Sequence, residues 1–240
     1  MRILILADIH ANLNAFNAVI ADAERFNPDG AVFLGDLIDY GMRPNEVIAQ
    51  MERLPVPLLC ALQGNHEHAL LNQDMSRFSS TRGAIMSEYT QAQLSTRSRN
   101  YIMGLNAGGL AEISVDGKRI LLVHGNMDDP FWGKLAPESA GDAYQPYDIV
   151  LSGHTHRPHY FERYYSAPDS PYRGEKKTIF INPGSVGQPR NHNPMAQYAI
   201  LDTQTGEAVL ASCPYHIREE QALYPPELPA FYQERLALGI

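Results

Sequence analysis

Met1–Ile20 reads MRILILADIHANLNAFNAVI, and two changes of pattern inside it point to the fold. Arg2 to Ala7 is a continuous run of β-favouring residues, the mark of a strand buried on both faces. Polarity enters at Asp8, so Asp8–Asn12 reads as the loop at the strand's C-terminal end. Leu13, Phe16, Val19 and Ile20 then recur at the spacing of an amphipathic helix, which NPDG (27–30) ends. Working outward, AVFLG (31–35) is a second buried strand, and DLIDYG (36–41) is its loop. NEVIAQMERL (45–54) is a second helix, with Pro44 at its start and PVP after it. VPLLCALQG (56–64) is a third strand that runs into NHEH (65–68). The order β-α-β-α-β implies parallel strands with helical crossovers.

The later chain differs. Residues 68 to about 106 hold no clear strand, and SEYTQAQLSTRSRNYIMGL (87–105) reads as one or two helices broken near Ser95–Arg97. This is a helical insertion suited to covering a site. LAEISVDGKRILLVHG (110–125) predicts a hairpin about Asp116-Gly117. YDIVLSG (147–153), KTIFINPGS (177–185), AQYAILDT (196–203) and GEAVLASC (206–213) follow as strands. Ser166–Lys177 is a polar Pro- and Gly-rich loop, and PPELPAFYQERLAL (225–238) suggests a closing helix. No repeat and no composition shift divides the chain, so residues 1–240 read as one domain.

Hydrophobic residues make up 44% of the chain, enough for a substantial core, and the formal charge is −8. That charge argues against broad electrostatic binding to nucleic acid or anionic membrane. The two cysteines, Cys60 and Cys213, build neither a disulfide framework nor a zinc-thiolate site, and Cys60 reads as a core thiol. No stretch reaches the ~18–20 apolar residues of a membrane span, and the N-terminal run lacks the features of a signal peptide. The expectation is a soluble cytoplasmic protein.

Each predicted strand of the parallel pattern is followed by metal-ligating residue types. Asp8 and His10 follow the first; Asp36 follows the second; Asn65, His66 and Glu67 follow the third. His124 follows the hairpin, and His154 and His156 in GHTH follow the next strand. Strand ends of a parallel sheet converge on one rim. A lone D-x-H or H-x-H is most simply structural; five strand-end signals together are not. Carboxylate, imidazole and amide oxygen suit Mn²⁺, Fe or Zn²⁺ better than the all-oxygen cages of Ca²⁺ and Mg²⁺. Seven donors exceed one tetrahedral site and match two ions sharing a carboxylate.

The series D-x-H, G-D, G-N-H-E, H-G and G-H-T-H, in this order, resembles the calcineurin-like metallophosphoesterase superfamily. INPGSVGQPRN (181–191) and HGNMDDPFWGKL (124–135) resemble its small prokaryotic phosphodiesterase branch, which includes diadenosine-tetraphosphatase-like proteins. The resemblance implies a four-layer α/β/β/α sandwich of two mixed sheets, with the metal site at the strand C-terminal ends. It implies that Asp8, His10 and His156 hold one divalent ion, that Asn65, His124 and His154 hold a second, and that Asp36 bridges them. Mn²⁺ is the first expectation, with Fe, Zn²⁺ or Ni²⁺ as others. A metal-bridging hydroxide would attack phosphorus, with His66, oriented by Asp39, as the proton donor. Asn12 and Arg190 are candidate substrate contacts, His192 is expected near the substrate from its position after Arg190, and Arg43 departs from the branch pattern as a rim cation. Asn182 and Ser185 are expected to hold loop backbone, and Glu67 to be a helix-start carboxylate. His68 and His159 fall outside the ligand set, and His216 reads as surface.

The implied activity is a phosphodiesterase acting on a small phosphorylated substrate, without nucleic-acid or membrane partners; self-association is left open. The alternatives are a phosphomonoesterase or phosphoprotein phosphatase, a dinucleoside-polyphosphate hydrolase, a mononuclear zinc hydrolase, and a non-catalytic scaffold like the retromer subunit of this fold. The scaffold reading is disfavoured because His66 and every ligand position are present.

Overall fold

The computed structural model describes residues 1–240. Two mixed five-stranded sheets face each other. The first has the order β10-β9-β1-β2-β3 and the second β4-β5-β6-β8-β7. In the first, β1 (Arg2–Leu6), β2 (Gly30–Phe33) and β3 (Leu58–Ala61) are parallel, and β9 (Ala196–Asp202) joins β1 antiparallel, followed by β10 (Ala208–Cys213). The crossovers are α1 (Leu13–Ala23) and α2 (Pro44–Met51), as the opening β-α-β-α-β pattern predicts.

Side-chain alternation along β1 assigns its two faces. Ile3, Ile5 and Ala7 pack between the sheets with Val32, Leu34, Ile120, Leu122, Ile149, Leu151, Ile179 and Ile181. Leu4 and Leu6 point the other way, toward Phe16 and Val19 of α1 and Val47 and Ile48 of α2. Each fully buried side chain of this size contributes about 1.5–3 kcal/mol, so both faces of the first strand carry core energy. That is why its sequence is unbroken rather than alternating.

In the second sheet β4 (Leu110–Val115) and β5 (Lys118–Val123) form the predicted hairpin, turning on Asp116 (φ 50°) and Gly117 (φ 73°). β5, β6 (Ile149–Ser152) and β8 (Glu175–Asn182) run parallel. The fourth layer is thin. The outer face of this sheet is covered by the 124–148 connection, which carries two short 3-10 turns and places Leu135, Ala140 and Tyr144 on Val123, Val150 and Phe180.

The middle of the chain is helical, with α3 (Asn65–Asn72), α4 (Thr81–Gln93) and α5 (Thr96–Met103). Ser80 and Ser95 cap α4 and α5 by accepting from Gly83 N–H and Ser98 N–H. The closing helix is α7 (Ala230–Leu238).

Three features depart from the sequence reading. His159–Ser166 is an eight-residue strand, β7, paired antiparallel to β8; its polar residues hid it, because an edge strand keeps one face in water. The polar loop therefore shrinks to the turn between Ser166 and Glu175. A short helix, α6 (Ile217–Gln221), precedes α7. Cys60 is half-buried rather than a core thiol, since β3 is the edge strand of its sheet. No helix is long and apolar enough to cross a membrane.

Candidate metal centre

The C-terminal ends of β1, β2, β3, β5 and β6 meet at one rim, and the seven sequence-predicted donors converge there. Asp8, His10, Asp36 and His156 offer ligand atoms within 4.8 Å of one another, and Asp36, His124 and His154 do the same. Asp36 belongs to both groups. Asn65 completes the second, its Oδ1 lying 2.9 Å from His124 Nε2 and 3.0 Å from His154 Nδ1.

Backbone conformation aims these side chains. Five of the seven donors are in the left-handed region: Asp8 (φ 54°), His10 (48°), Asp36 (63°), His154 (64°) and His156 (56°). Non-glycine residues rarely adopt it, and each such residue stores strain that the surroundings must hold. The surroundings do so by hydrogen bonds. Ser185 Oγ donates to Asp8 O at 2.7 Å, and Asn182 Nδ2 donates to Gly153 O at 2.8 Å, fixing the GHTH loop. Gly64 must be glycine, because a Cβ there would lie 2.1 Å from Asp36 Oδ1.

The atoms inside the site suit a cation. His10 Nδ1 donates to Ile38 O (2.9 Å) and His156 Nδ1 donates to Gln188 O (2.6 Å), which fixes both tautomers. Their Nε2 lone pairs therefore face each other at 3.2 Å with no proton between. His124 Nδ1 likewise donates to a carbonyl, Leu34 O at 2.8 Å, which aims Nε2 at Asn65 Oδ1 (2.9 Å) and Asp36 Oδ2 (3.3 Å). Burial lowers its pKa, but the Asp36 and Asp8 carboxylates outweigh burial and push it up to about 9, so without a cation Nε2 carries a proton. Asp8 Oδ2 is buried with no hydrogen-bond partner. Burial holds His10 and His156 well below the usual histidine range, so both stay neutral ligands. Burial also pushes the Asp8 carboxyl up, with the Asp36 charge adding to it. Burial works the same way on Asp36, but the neighbouring His124 and His66 hold it well below the carboxylate range. Two buried like charges and facing lone pairs are costly alone and become favourable around divalent cations.

The amino-acid sequence matches the calcineurin-like phosphoesterase superfamily domain over residues 1–206. The chain belongs to this superfamily. It is a phosphoric ester hydrolase of a divalent-metal-dependent family. It is 29% identical to the uncharacterized protein MJ0912 of Methanocaldococcus jannaschii over 242 residues, 99% of this chain and 98% of that one. It is 28% identical to the phosphodiesterase YfcE of Escherichia coli over 205 residues, 84% of this chain and 88% of that one. The crystal structure of a metallophosphoesterase from Sphaerobacter thermophilus superposes with a TM-score of 0.79 at 29% identity, covering 100% of this chain and 99% of that one.

Around the superfamily's donor set, the remaining residues sort by what they touch. His66 is buried; its Nδ1 lies 2.7 Å from Asp39 Oδ2, and its Nε2 lies 3.9 Å from Asp36 Oδ2. Burial lowers its pKa, but the Asp36 and Asp39 carboxylates outweigh burial and raise it. Glu67 is more than a helix-start carboxylate. Its two oxygens accept from Asp36 N–H (3.0 Å), Leu37 N–H (2.7 Å), Ile38 N–H (3.1 Å) and Gly64 N–H (2.8 Å), so it pins the Asp36 turn to α3. Replacing it with glutamine turns an NH₂ toward N–H donors. Losing one or two of these charge-assisted bonds should cost about 2–4 kcal/mol; a urea unfolding curve of Glu67→Gln checks this.

Several expectations are corrected. Asn12 is fully buried and does not line the cavity at the site: Oδ1 caps α1 by accepting from Ala15 N–H (3.0 Å), and Nδ2 donates to Gly187 O (3.0 Å) and Tyr215 OH (3.3 Å). Arg43 pairs with buried Glu220 instead of facing the rim. His192 is exposed and lies outside the cavity lining. Two other histidines need no correction: His68 lies outside both donor groups and stacks on Phe131 with ring centroids 4.0 Å apart, and His216 is exposed.

The donors open into a cavity of about 630 Å³. Arg190 lines it. So do Trp132 and Lys134 of the HGNMDDPFWGKL stretch and, among residues no motif announced, Arg77, Phe78, Arg82 and Arg235. The only sequence signal for them was that the helical insertion and the closing helix had no other task.

Proposed function

We propose that the protein is a phosphodiesterase working with two divalent cations, one held by Asp8, His10 and His156, the other by Asn65, His124 and His154, with Asp36 shared. One observation carries this reading: Asp36 Oδ2 lies 3.7 Å from His10 Nε2 and 3.3 Å from His124 Nε2, so one oxygen faces both donor groups. A single-ion reading would leave the other group of buried donors without a cation. Divalent cations held by these residues would supply neutralisation of phosphate oxygens and a water made nucleophilic near neutral pH. Mn²⁺ suits the mixed imidazole, carboxylate and amide donors, with Fe, Zn²⁺ or Ni²⁺ as the other fits.

The chain's own residues supply the rest. His66, oriented by Asp39, gives its Nε2 proton to the departing alkoxide. Arg190 binds a phosphate oxygen as a fork-shaped donor. Phe78 and Trp132, whose rings lie 5.6 Å apart, give an apolar wall for the substrate's organic groups. A cavity of about 630 Å³ accommodates substituents on both sides of phosphorus, which favours a diester, and so does the similarity to the Escherichia coli phosphodiesterase. The natural substrate class is then a small phosphodiester.

With Mn²⁺ added, bis-p-nitrophenyl phosphate should be cleaved with a kcat/KM at least about tenfold above that for p-nitrophenyl phosphate, and chelation should abolish both. Monoester preference would move the assignment to a phosphatase.

A further inference from the structure

The cavity holds positive charge that the metal centre does not use. Arg235 of α7 is 5% exposed, yet its Nε and Nη2 are buried with no hydrogen-bond partner. No carboxylate pairs with it. Its neighbours are the rings of Phe231 (5.3 Å), Tyr232 (5.7 Å) and Tyr40 (5.9 Å). Arg190 faces the same cavity; it also lacks an acidic partner, and its Nε is buried and unpaired. Arg190 N–H donates to His156 O at 3.1 Å, which ties this arginine to a metal-ligand loop. Buried arginines are ordinarily paired, because an unpaired charge in low dielectric is costly. Here the second guanidinium raises that cost: burial, and next the Arg190 charge, lower the Arg235 pKa to about 10.

The placement of Arg235 is built, not incidental. Tyr232, on the same helix, stacks on Tyr40 with ring centroids 4.4 Å apart and an interplanar angle of 14°. Tyr40 packs on ligand His10 at 4.5 Å and directly follows Asp39, the partner of His66. The end of α7 is fastened too, by His192 N–H donating to Gly239 O at 2.7 Å. Yet α7 lies beyond residue 206, where the match to the superfamily domain ends. A segment outside the shared domain thus folds back over the site and delivers a cation into it.

We propose that Arg235 and Arg190 together form a phosphate-binding subsite, with the C-terminal helix as a working wall of the active site. The missing partner of the two guanidiniums is the phosphoryl group of the substrate, or free phosphate as product. Two adjacent forks in a partly desolvated cavity match the oxygens of one such group. Arg190 was a candidate substrate contact on its own; Arg235 makes it a pair. The proposal rests on the phosphoesterase reading for the identity of the anion, but its test does not need turnover.

The experiment measures binding of inorganic phosphate to the chelated, metal-free full-length protein by calorimetry, at constant ionic strength. Wild type should bind. Arg235→Met and Arg190→Met should each weaken binding by roughly tenfold or more, the loss of a charge-assisted contact. Arg235→Lys, which keeps the charge, should retain most of it. Phosphate should raise the melting temperature of wild type and fail to raise that of Arg235→Met, a difference that a purely packing role would not produce. With Mn²⁺ bound, Arg235→Met should raise the KM for bis-p-nitrophenyl phosphate about tenfold with little change in kcat, the signature of lost uniform binding. If metal-free wild type does not bind phosphate, or if Arg235→Met binds it within about twofold of wild type, the subsite does not exist. Failure to hydrolyse diesters while phosphate binding follows this order would overturn the activity and leave the subsite standing.

Discussion

Asp36→Asn should reduce kcat/KM for a phosphodiester on the order of 10³-fold and lower the bound metal below two per chain. The size of the effect follows from position. One Asp36 oxygen faces His10 Nε2 and His124 Nε2 at 3.7 and 3.3 Å, while the other accepts from His66 N–H at 3.0 Å. Asparagine can keep the second contact through its carbonyl oxygen, so α3 stays docked. It loses the charge shared by both donor groups, and removing one preorganised electrostatic contact at a reacting centre typically costs 10²–10³-fold. Stability supplies the independent readout. A ligand present at about 100 times its Kd stabilises the folded state by about 2.7 kcal/mol, so wild type should melt higher with Mn²⁺ than with chelator. In Asp36→Asn that gap should shrink sharply while the chelated proteins remain close. Elemental analysis after dialysis, with paired thermal melts, checks both halves. Two tightly held ions per chain in the variant would show that Asp36 is not the shared ligand.

The candidate donor set was legible because its residue types are unusual at strand ends. Asp8, Asp36, Asn65, His124 and His154 each stand within three residues of the end of an apolar run, His10 and His156 follow two residues later, and the parallel β-α-β pattern brings those ends together. Hydrogen-bond satisfaction was not legible. Asn12 follows a ligand in sequence, but its side chain is consumed by the α1 cap, Gly187 and Tyr215. Arg43 is taken by Glu220, which is 177 residues away in the chain. Both depend on long-range packing that no local pattern encodes. Cys60 shows the same limit for burial, since an apolar run does not reveal whether its strand is central or at an edge. Arg235 is the sharpest case. In ELPAFYQERLAL it looks like an ordinary solvated helix cation, and only the fold places it over the metal centre.

His66→Ala should leave metal content unchanged and produce a loss that depends on the leaving group. Its imidazole is not among the metal-facing donors; it is held through Nδ1 by Asp39 at 2.7 Å, with Nε2 directed toward the reacting side of Asp36. On the proposed reading alanine therefore removes a proton donor without removing a ligand. The backbone N–H that binds Asp36 Oδ1 at 3.0 Å survives the substitution, so the α3 N-terminus should stay in register. General acid catalysis is worth typically 10²–10⁴-fold, and its value grows with the basicity of the group that departs. p-Nitrophenolate is weakly basic and leaves with little help, so bis-p-nitrophenyl phosphate should lose the smaller factor. A diester with an alkoxide leaving group should lose a factor near the top of that range. Asp39→Asn should give the same ordering with smaller losses, because the imidazole remains but its orientation is less strictly held. The measurement is kcat for both ester types in wild type and the two variants, with metal content determined on the same preparations. Equal losses on both esters would assign His66 to binding or to the support of Asp36. A steep dependence on the leaving group would place its proton in the rate-limiting transition state, which is what its position beside the shared carboxylate is built to allow.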